Sequence, residues 1–358
     1  MGITAASAII GFAPQAGMGD FSPPYWYKHR ATMVDLDVMD EVREGVPEIG
    51  GVPVPTFPYK AGPVVAGGFT IQPRLESTLG WLLYGLMGAV DSDDDDYDYS
   101  ENIVKHIFGF AAEPSYVPWM SFRKHIPPKE ANPATDLGQI FRDCKIVGAS
   151  LVLPNDAPLT MRVDVLGREF ELDHAPDQWS WENEFESWES IPVGCQTGGW
   201  LKIGDGGDEL PVVAATVGFQ NVPLDIRQER VYGSPFLEDV TIVQRRLAYD
   251  MTVKWNNPDL YAALLTGSAV GTEWSGKPYT TSFEVKAVSP MNTPEDIEPY
   301  SLVVAANKVM MSQVGGLTLA GNQSILLRFA GVALETDPDI AYATFTLRNL
   351  VPEYIWPT

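Results

Sequence analysis

Basic residues are scarce in this chain. Its 358 residues hold 24 Lys and Arg against 47 Asp and Glu, a formal net charge of −23. Such a surface is repelled by phosphate and by anionic lipid, which argues against gripping nucleic acid or a membrane. Cysteine is scarcer still. Cys144 and Cys195 are too few for a disulfide scaffold or a metal site and read as two reduced, partly buried thiols. No stretch approaches the roughly 18 consecutive apolar residues of a membrane span. The opening MGITAASAIIGFAPQAGMGDFSPPYW has no basic n-region and breaks its apolar run with glycine and proline, unlike a signal peptide. A cytoplasm-like compartment is expected.

Catalytic signatures are missing too. His29, His106, His125 and His174 show no metal-ligand spacing. No G-x-S-x-G elbow occurs, and nothing assembles a nucleophile, base and orienter. GDGGDE at 204–209 lacks the helix start and Lys-Ser/Thr pair of a phosphate loop. The reading is of a non-enzyme with no cofactor and no metal.

Glycine (32) and proline (29) are plentiful, and the segments between them alternate. Val34, Leu36 and Val38 alternate with Asp35 and Asp37; Met161, Val163 and Val165 with Arg162 and Asp164; Phe345 and Leu347 with Thr344, Thr346 and Arg348. A period of two gives one buried and one wet face, the mark of antiparallel sheet. Two segments read as helices. Residues 74–87 stripe Leu75, Leu79, Leu82, Leu83 and Leu86 ahead of Gly88; residues 258–266 stripe Leu260, Tyr261, Leu264 and Leu265 ahead of Gly267.

The two helical segments suggest an internal repeat. Laying Leu82-Leu83-Tyr84-Gly85 on Leu264-Leu265-Thr266-Gly267 puts Phe69-Thr70-Ile71 on Met251-Thr252-Val253 and Thr32 to Asp40 on Ala214 to Val222. Farther on, the register slips, and PLTMRVDVLG at 158–167 matches NQSILLRFAG at 322–331. The slip means extra chain in the first half, partly in the acidic run after Gly88. The resulting division is an arm (1–25), a first module (26–193), a glycine-rich linker (194–207) and a second module (208–358).

Two acidic stretches invite a reading as sites. The run DSDDDDYD at 91–98 fails as a calcium loop, because its sixth position is Asp96 and its twelfth is Asn102; it reads as a solvated loop. In DQWSWENEFESWES, Trp179, Trp181 and Phe185 alternate with Ser180, Glu182, Glu184 and Glu186. Carboxylates on one face of a strand do not flank a bond from opposite sides, so a glycosidase pair is disfavoured.

The two units FTIQPRLESTLGWLLYG and MTVKWNNPDLYAALLTG, the strand PSYVPWMSFRKH and the hairpin GQIFRDCKIVGASLVLPNDAPLTMRVDVLG together resemble tail tube proteins of long-tailed (siphovirus-like) bacteriophages, in the internally duplicated version. The start APQAGMGDFSPPYWYK is similar to the family's N-terminal arm; the aspartate run has no counterpart. The resemblance implies two modules, each of two packed antiparallel sheets with one flanking helix, whose sheets join an intersubunit β-barrel. It implies trimeric rings of pseudo-hexameric shape, stacked into a conduit for DNA ejection, in a virion tail assembled in the host cytoplasm. The implied partners are the chain itself, a tape measure and other tail proteins, with DNA passing without specific binding. Asp35, Asp37, Asp164, Glu182, Glu184 and Glu186 are the candidate lumen-facing acids. Alternatives are an inner tube of a contractile tail or injection machine, or a β-sandwich binding carbohydrate or calcium.

Overall fold

The alternating segments resolve into antiparallel strands in a computed structural model. It describes residues 8–20, 25–46, 49, 54, 57–75, 78–93, 103–111, 113, 116–126, 136–182, 193, 199–204, 207, 209–255, 258–289, 300–317, 324–335 and 342–357. The first half contributes β1 (Ile9–Pro14), β2 (Tyr27–His29), β3 (Ala31–Val34), β4 (Asp37–Glu44) and β5 (Pro58–Ile71). Helix α1 (Leu79–Met87) follows, then β6 (Gly88–Asp93), β7 (Val104–Phe110), β8 (Met120–Ile126), β9 (Leu137–Pro154) and β10 (Thr160–Asp173). The second half contributes β11 (Trp200–Ile203), β12 (Val212–Pro223), β13 (Ile242–Lys254), α2 (Pro258–Thr266), β14 (Tyr279–Val288), β15 (Ser301–Gln313), β16 (Leu326–Ala333) and β17 (Thr344–Asn349). The protein is mainly β.

In the first half β3 and β4 pair with β5, β5 with β10, β10 with β9, and β9 with β8. In the second half β12 pairs with β13, β13 with β16, β16 with β15, and β15 with β14. In each half, strands that share no hydrogen bonds also pack side chain to side chain. Phe69 of β5 meets Phe122 of β8 at 5.9 Å between ring centroids, although those strands share no hydrogen bonds. Tyr249 of β13 stacks on Phe283 of β14 at 5.1 Å in the same relation. One apolar core runs through both halves, and each large side chain fully buried in it contributes about 1.5–3 kcal/mol.

Two joints hold the halves together. β9 pairs with β8 along its first half, and with β12 from Gly148 to Pro154. β7 pairs with β17, Phe108 opposite Phe345. The C-terminal tail then returns to α1. Tyr354 packs edge-on to Trp81 at 5.3 Å, Trp356 packs on Tyr84 at 4.8 Å, and the Asn349 amide donates to the Leu75 carbonyl at 2.9 Å. The described strands form one connected network that does not close on itself.

Several expectations need correction. The first helix spans 79–87, not 74–87: the Thr78 hydroxyl lies 2.7 Å from Nδ1 of His29 and makes no side-chain cap bond to the helix. Leu82 and Leu83 are fully buried, but Gly85 is no stop. It lies inside α1, where a Cβ would sit 2.5 Å from the Met120 sulfur. The stop is Gly88, as expected, whose φ of 101° only glycine adopts readily. Gly267, at φ 81°, ends α2 as expected. The LLxG match therefore laid an interior glycine on a terminal one. Leu264 packs against the core as expected, whereas Leu265 is exposed, because α2 buries Leu260 and Ala263 instead.

Other segments gain structure that their composition did not announce. In the expected arm, Ile9–Pro14 is a buried strand between β2 and β8. In the glycine-rich linker, Trp200–Ile203 pairs with β14. In the aspartate run, Asp91 to Asp93 end β6 opposite β7, and 94–98 lie outside the described residues. Trp179 to Glu182 form no strand. Pro176 opens a 3-10 turn, and the Trp179 indole N–H donates to Asp173 at 2.7 Å, turning the chain away from β10.

Because Gly88 holds a left-handed conformation, Gly88→Ala lowers stability by about 1–2 kcal/mol. A urea denaturation midpoint unchanged from the parent would refute its role as the helix stop.

Candidate functional site

Two features stand out on the surface: a row of carboxylates along one sheet face, and two strand edges without partners among the described residues. The row starts where β3 passes into β4. Both Asp35 and Leu36 donate their N–H to the Gly68 carbonyl, and the Asp35 carboxylate accepts from the Gly68 N–H at 2.9 Å. Gly68 lies opposite Asp164, which lies opposite Gly148. Alternation keeps Leu36 fully buried and turns Asp35 and Asp37 outward.

These carboxylates are not bare. Arg162 donates to Asp35 at 2.9 Å and to Asp164 at 2.8 Å. Asp37 accepts from Lys124 at 3.0 Å and from Gln139 at 3.1 Å. Partial burial pushes the Asp35 carboxyl up, but Arg162 and the Gly68 N–H outweigh it and hold it below the usual range. Burial raises Asp37 likewise, and Lys124 and the Val38 N–H bring it down. The second half has a matching arrangement that sequence reading missed: Arg328 donates to both oxygens of Asp250, at 2.9 and 2.6 Å. Arg162 lies opposite Thr70, and Arg328 opposite Thr252. The recurrence of Arg opposite Thr was readable only once the register was known.

The other expected acids do not join this row. Glu182 is exposed off the sheet, its N–H donating to the Trp26 carbonyl at 2.7 Å, and Glu184 and Glu186 lie outside the described residues. Much of the charge on the row is offset by Arg162, Lys124 and Arg328. The −23 therefore resides mainly elsewhere.

The unpaired edges are the second feature. Among the described residues β3 and β4 pair with no strand but β5. Their outward side chains Met33, Met39 and Val42 are half or more exposed. On β15, pairing with β14 ends at Met311 opposite Tyr279, while the β16 side continues to the Val314 N–H, which donates to the Arg328 carbonyl. Past Met311 the β14 side has no strand partner among the described residues. Unprotected apolar edges of this kind template pairing with another chain.

Nothing else assembles chemistry among the described residues. No group of three His, Cys, Asp or Glu could hold a metal ion. Cys144 is fully buried, which pushes its thiol pKa up; Cys195 lies outside the described residues. Burial lowers the pKa of His106, whose Nε2 lies 2.8 Å from the Val351 carbonyl. His125 lies 2.6 Å from Asp136. A cavity of about 320 Å³ between the halves is lined largely by apolar side chains, among them Leu153, Leu159, Leu201 and Val285.

Asp35, Asp37 and Asp250 all titrate lower folded than the ordinary value near 4. Their contribution is complete above that value and fades as pH falls through the depressed folded values. Asp35→Asn combined with Asp250→Asn is expected to flatten the loss of stability between about pH 5 and pH 2. Denaturant midpoints across that range check it, and a slope equal to the parent's would refute it. No family model matches the chain, and no curated protein matches it.

Proposed function

We propose that this chain is a structural virion protein that polymerises into stacked rings, forming the tail tube of a long-tailed bacteriophage and a conduit for DNA ejection. The observation that carries the reading is the joint between the halves. β9 of the first half and β12 of the second pair through seven consecutive residues, while the equivalent outer edges, on β3–β4 and on β15 past Met311, have no strand partner among the described residues.

The reading treats the chain as an internal duplicate. The four pairings of each half follow the same order, and a nine-residue helix follows the second strand of each. Thr70 lies opposite Met33 as Thr252 lies opposite Ala214. This superposition sets Val34 on Ala215, one residue from the register of the sequence comparison. The shift matters, because a one-residue slip would exchange the buried and wet faces of a strand. The β6–β7 hairpin, which carries the aspartate run, accounts for part of the extra chain in the first half.

Two such units per chain make six in a ring of three. The sheets then continue from chain to chain into an intersubunit barrel, which removes the open edges. Rings stacked head to tail leave faces free to propagate a tube. The net charge of −23 repels phosphates at longer range, so the duplex slides without being gripped. The partners are the chain itself, a tape measure and other tail proteins, in a virion assembled in the host cytoplasm. No enzymatic step belongs to this role.

Negative-stain microscopy of the concentrated purified protein tests the reading. Stacked annuli with three-fold or pseudo-six-fold shape are expected. A persistent monomer that binds sugar, or whose melting depends on calcium, would overturn it.

A further inference from the structure

The internal joint predicts a register for the external one. Gly148 lies opposite Asp164, which lies opposite Gly68. In the second half Ser312 lies opposite Ala330, which lies opposite Asp250. On the other flank Gln220 lies opposite Arg246, and Met39 opposite Val64. With Gly68 on Asp250, Val64 falls on Arg246. Gln220 meets Gly148 within the chain, so the corresponding contact brings Met39 to Ser312.

We propose that a second copy of this chain docks its β15 edge antiparallel on β3–β4, in the register that joins β12 to β9, so that Met39 lies opposite Ser312 of the second copy. Val38 then lies opposite Gln313 and Asp37 opposite Val314. This deepens the reading above and rests on it, since it takes for granted that copies join edge to edge.

The faces agree at every step. Val38 packs against the core and meets Gln313, which is partly buried; Asp37 and Met39 are exposed and meet Val314 and Ser312, also exposed. A register shifted by one residue would set wet positions beside core positions.

The chain also shows how such a joint is covered. The segment between β12 and β13 folds over the first half. Arg230 donates to the carbonyls of Ala61 and Gly62 at 2.6 and 2.9 Å, and Lys145 donates to the Val240 carbonyl at 2.9 Å. Leu237 and Val240 are buried there with Val64 and Leu166 in a separate small core. Among the described residues of the matching segment of the first half, between β4 and β5, no such hydrogen bond to the other half occurs. Val42, Val46, Phe57 and Tyr59 stand exposed near its base. The second copy supplies the surface they lack.

Paired residues on neighbouring antiparallel strands lie about 4.5–5.5 Å apart at Cα, within disulfide range. In a Cys195→Ser background, with Cys144 fully buried, Met39→Cys protein is mixed with Ser312→Cys protein at assembling concentration. The mixture is oxidised and run on a non-reducing gel. Cross-linked dimer is expected from the mixture and not from either variant alone. Met33→Cys mixed with Ser312→Cys, six residues out of register or roughly 20 Å along the strand, is expected to give none. Met33, Met39 and Ser312 are all exposed, and retained melting temperatures confirm that the variants fold.

Annuli by microscopy without the Met39–Ser312 cross-link would overturn this register while leaving the tube reading intact. The cross-link without annuli would sustain the register and sink the tube. Absence of both would overturn the two together.

Discussion

An open strand edge presents backbone N–H and C=O groups that water satisfies only until another edge arrives, and the architecture of this protein is organised by that constraint. Inside the chain the constraint is met by joining one half to the other. β9 is long enough to serve two partners along one side, β8 first and β12 afterwards, while β10 occupies its other side throughout. Among the described residues the same device leaves β3–β4, and β15 past Met311, without a second strand partner. A chain that solves half of its edge problem internally and leaves the other half unsolved is suited to self-association in a line or a ring.

The interlock between halves makes the molecule a rigid carrier of those edges. β7 leaves the first half to pair with β17 of the second, and the tail beyond β17 returns to cover α1 with Tyr354 and Trp356. The Trp356 indole N–H donates to the backbone carbonyl of Gln15, just past β1. Both termini of the described chain are thereby fixed in the first half. Independent swinging of the two halves would break buried aromatic contacts and a ladder of backbone hydrogen bonds, so the separation and angle of these edges are fixed by the fold.

Charge plays a different part from the one its magnitude suggests. On the sheet face the acids are organised with cations: Arg162 bridges Asp35 and Asp164, Lys124 holds Asp37, and Arg328 holds Asp250. Exposed pairs of this kind add little stability, but they fix side chains along a face that would otherwise repel itself. The surplus acidity acts at longer range, as a field that discourages adhesion of phosphate.

The period-two pattern was enough to mark the sheet segments around Val34 to Val38, Met161 to Val165 and Thr344 to Arg348, since a half-buried sheet imprints alternation directly on the chain: Val34, Leu36 and Val38 point inward and Asp35 and Asp37 outward, as their spacing requires. Leu82 and Leu83 were legible as helix core for the same reason at helical spacing. Local pattern failed where partners are distant in sequence. Nothing near Ile9–Pro14 announces that β2 and β8 enclose it, nothing near Gly85 reveals Met120, and nothing near Thr78 reveals His29. The sequence by itself determined which faces are apolar and that the chain is sheet-rich and acidic, because those properties are local sums over side chains. Tertiary structure alone decided which strands are neighbours, in what register, and which edges remain open, because backbone hydrogen bonds are indifferent to side-chain identity and are allotted by the packing of the whole chain.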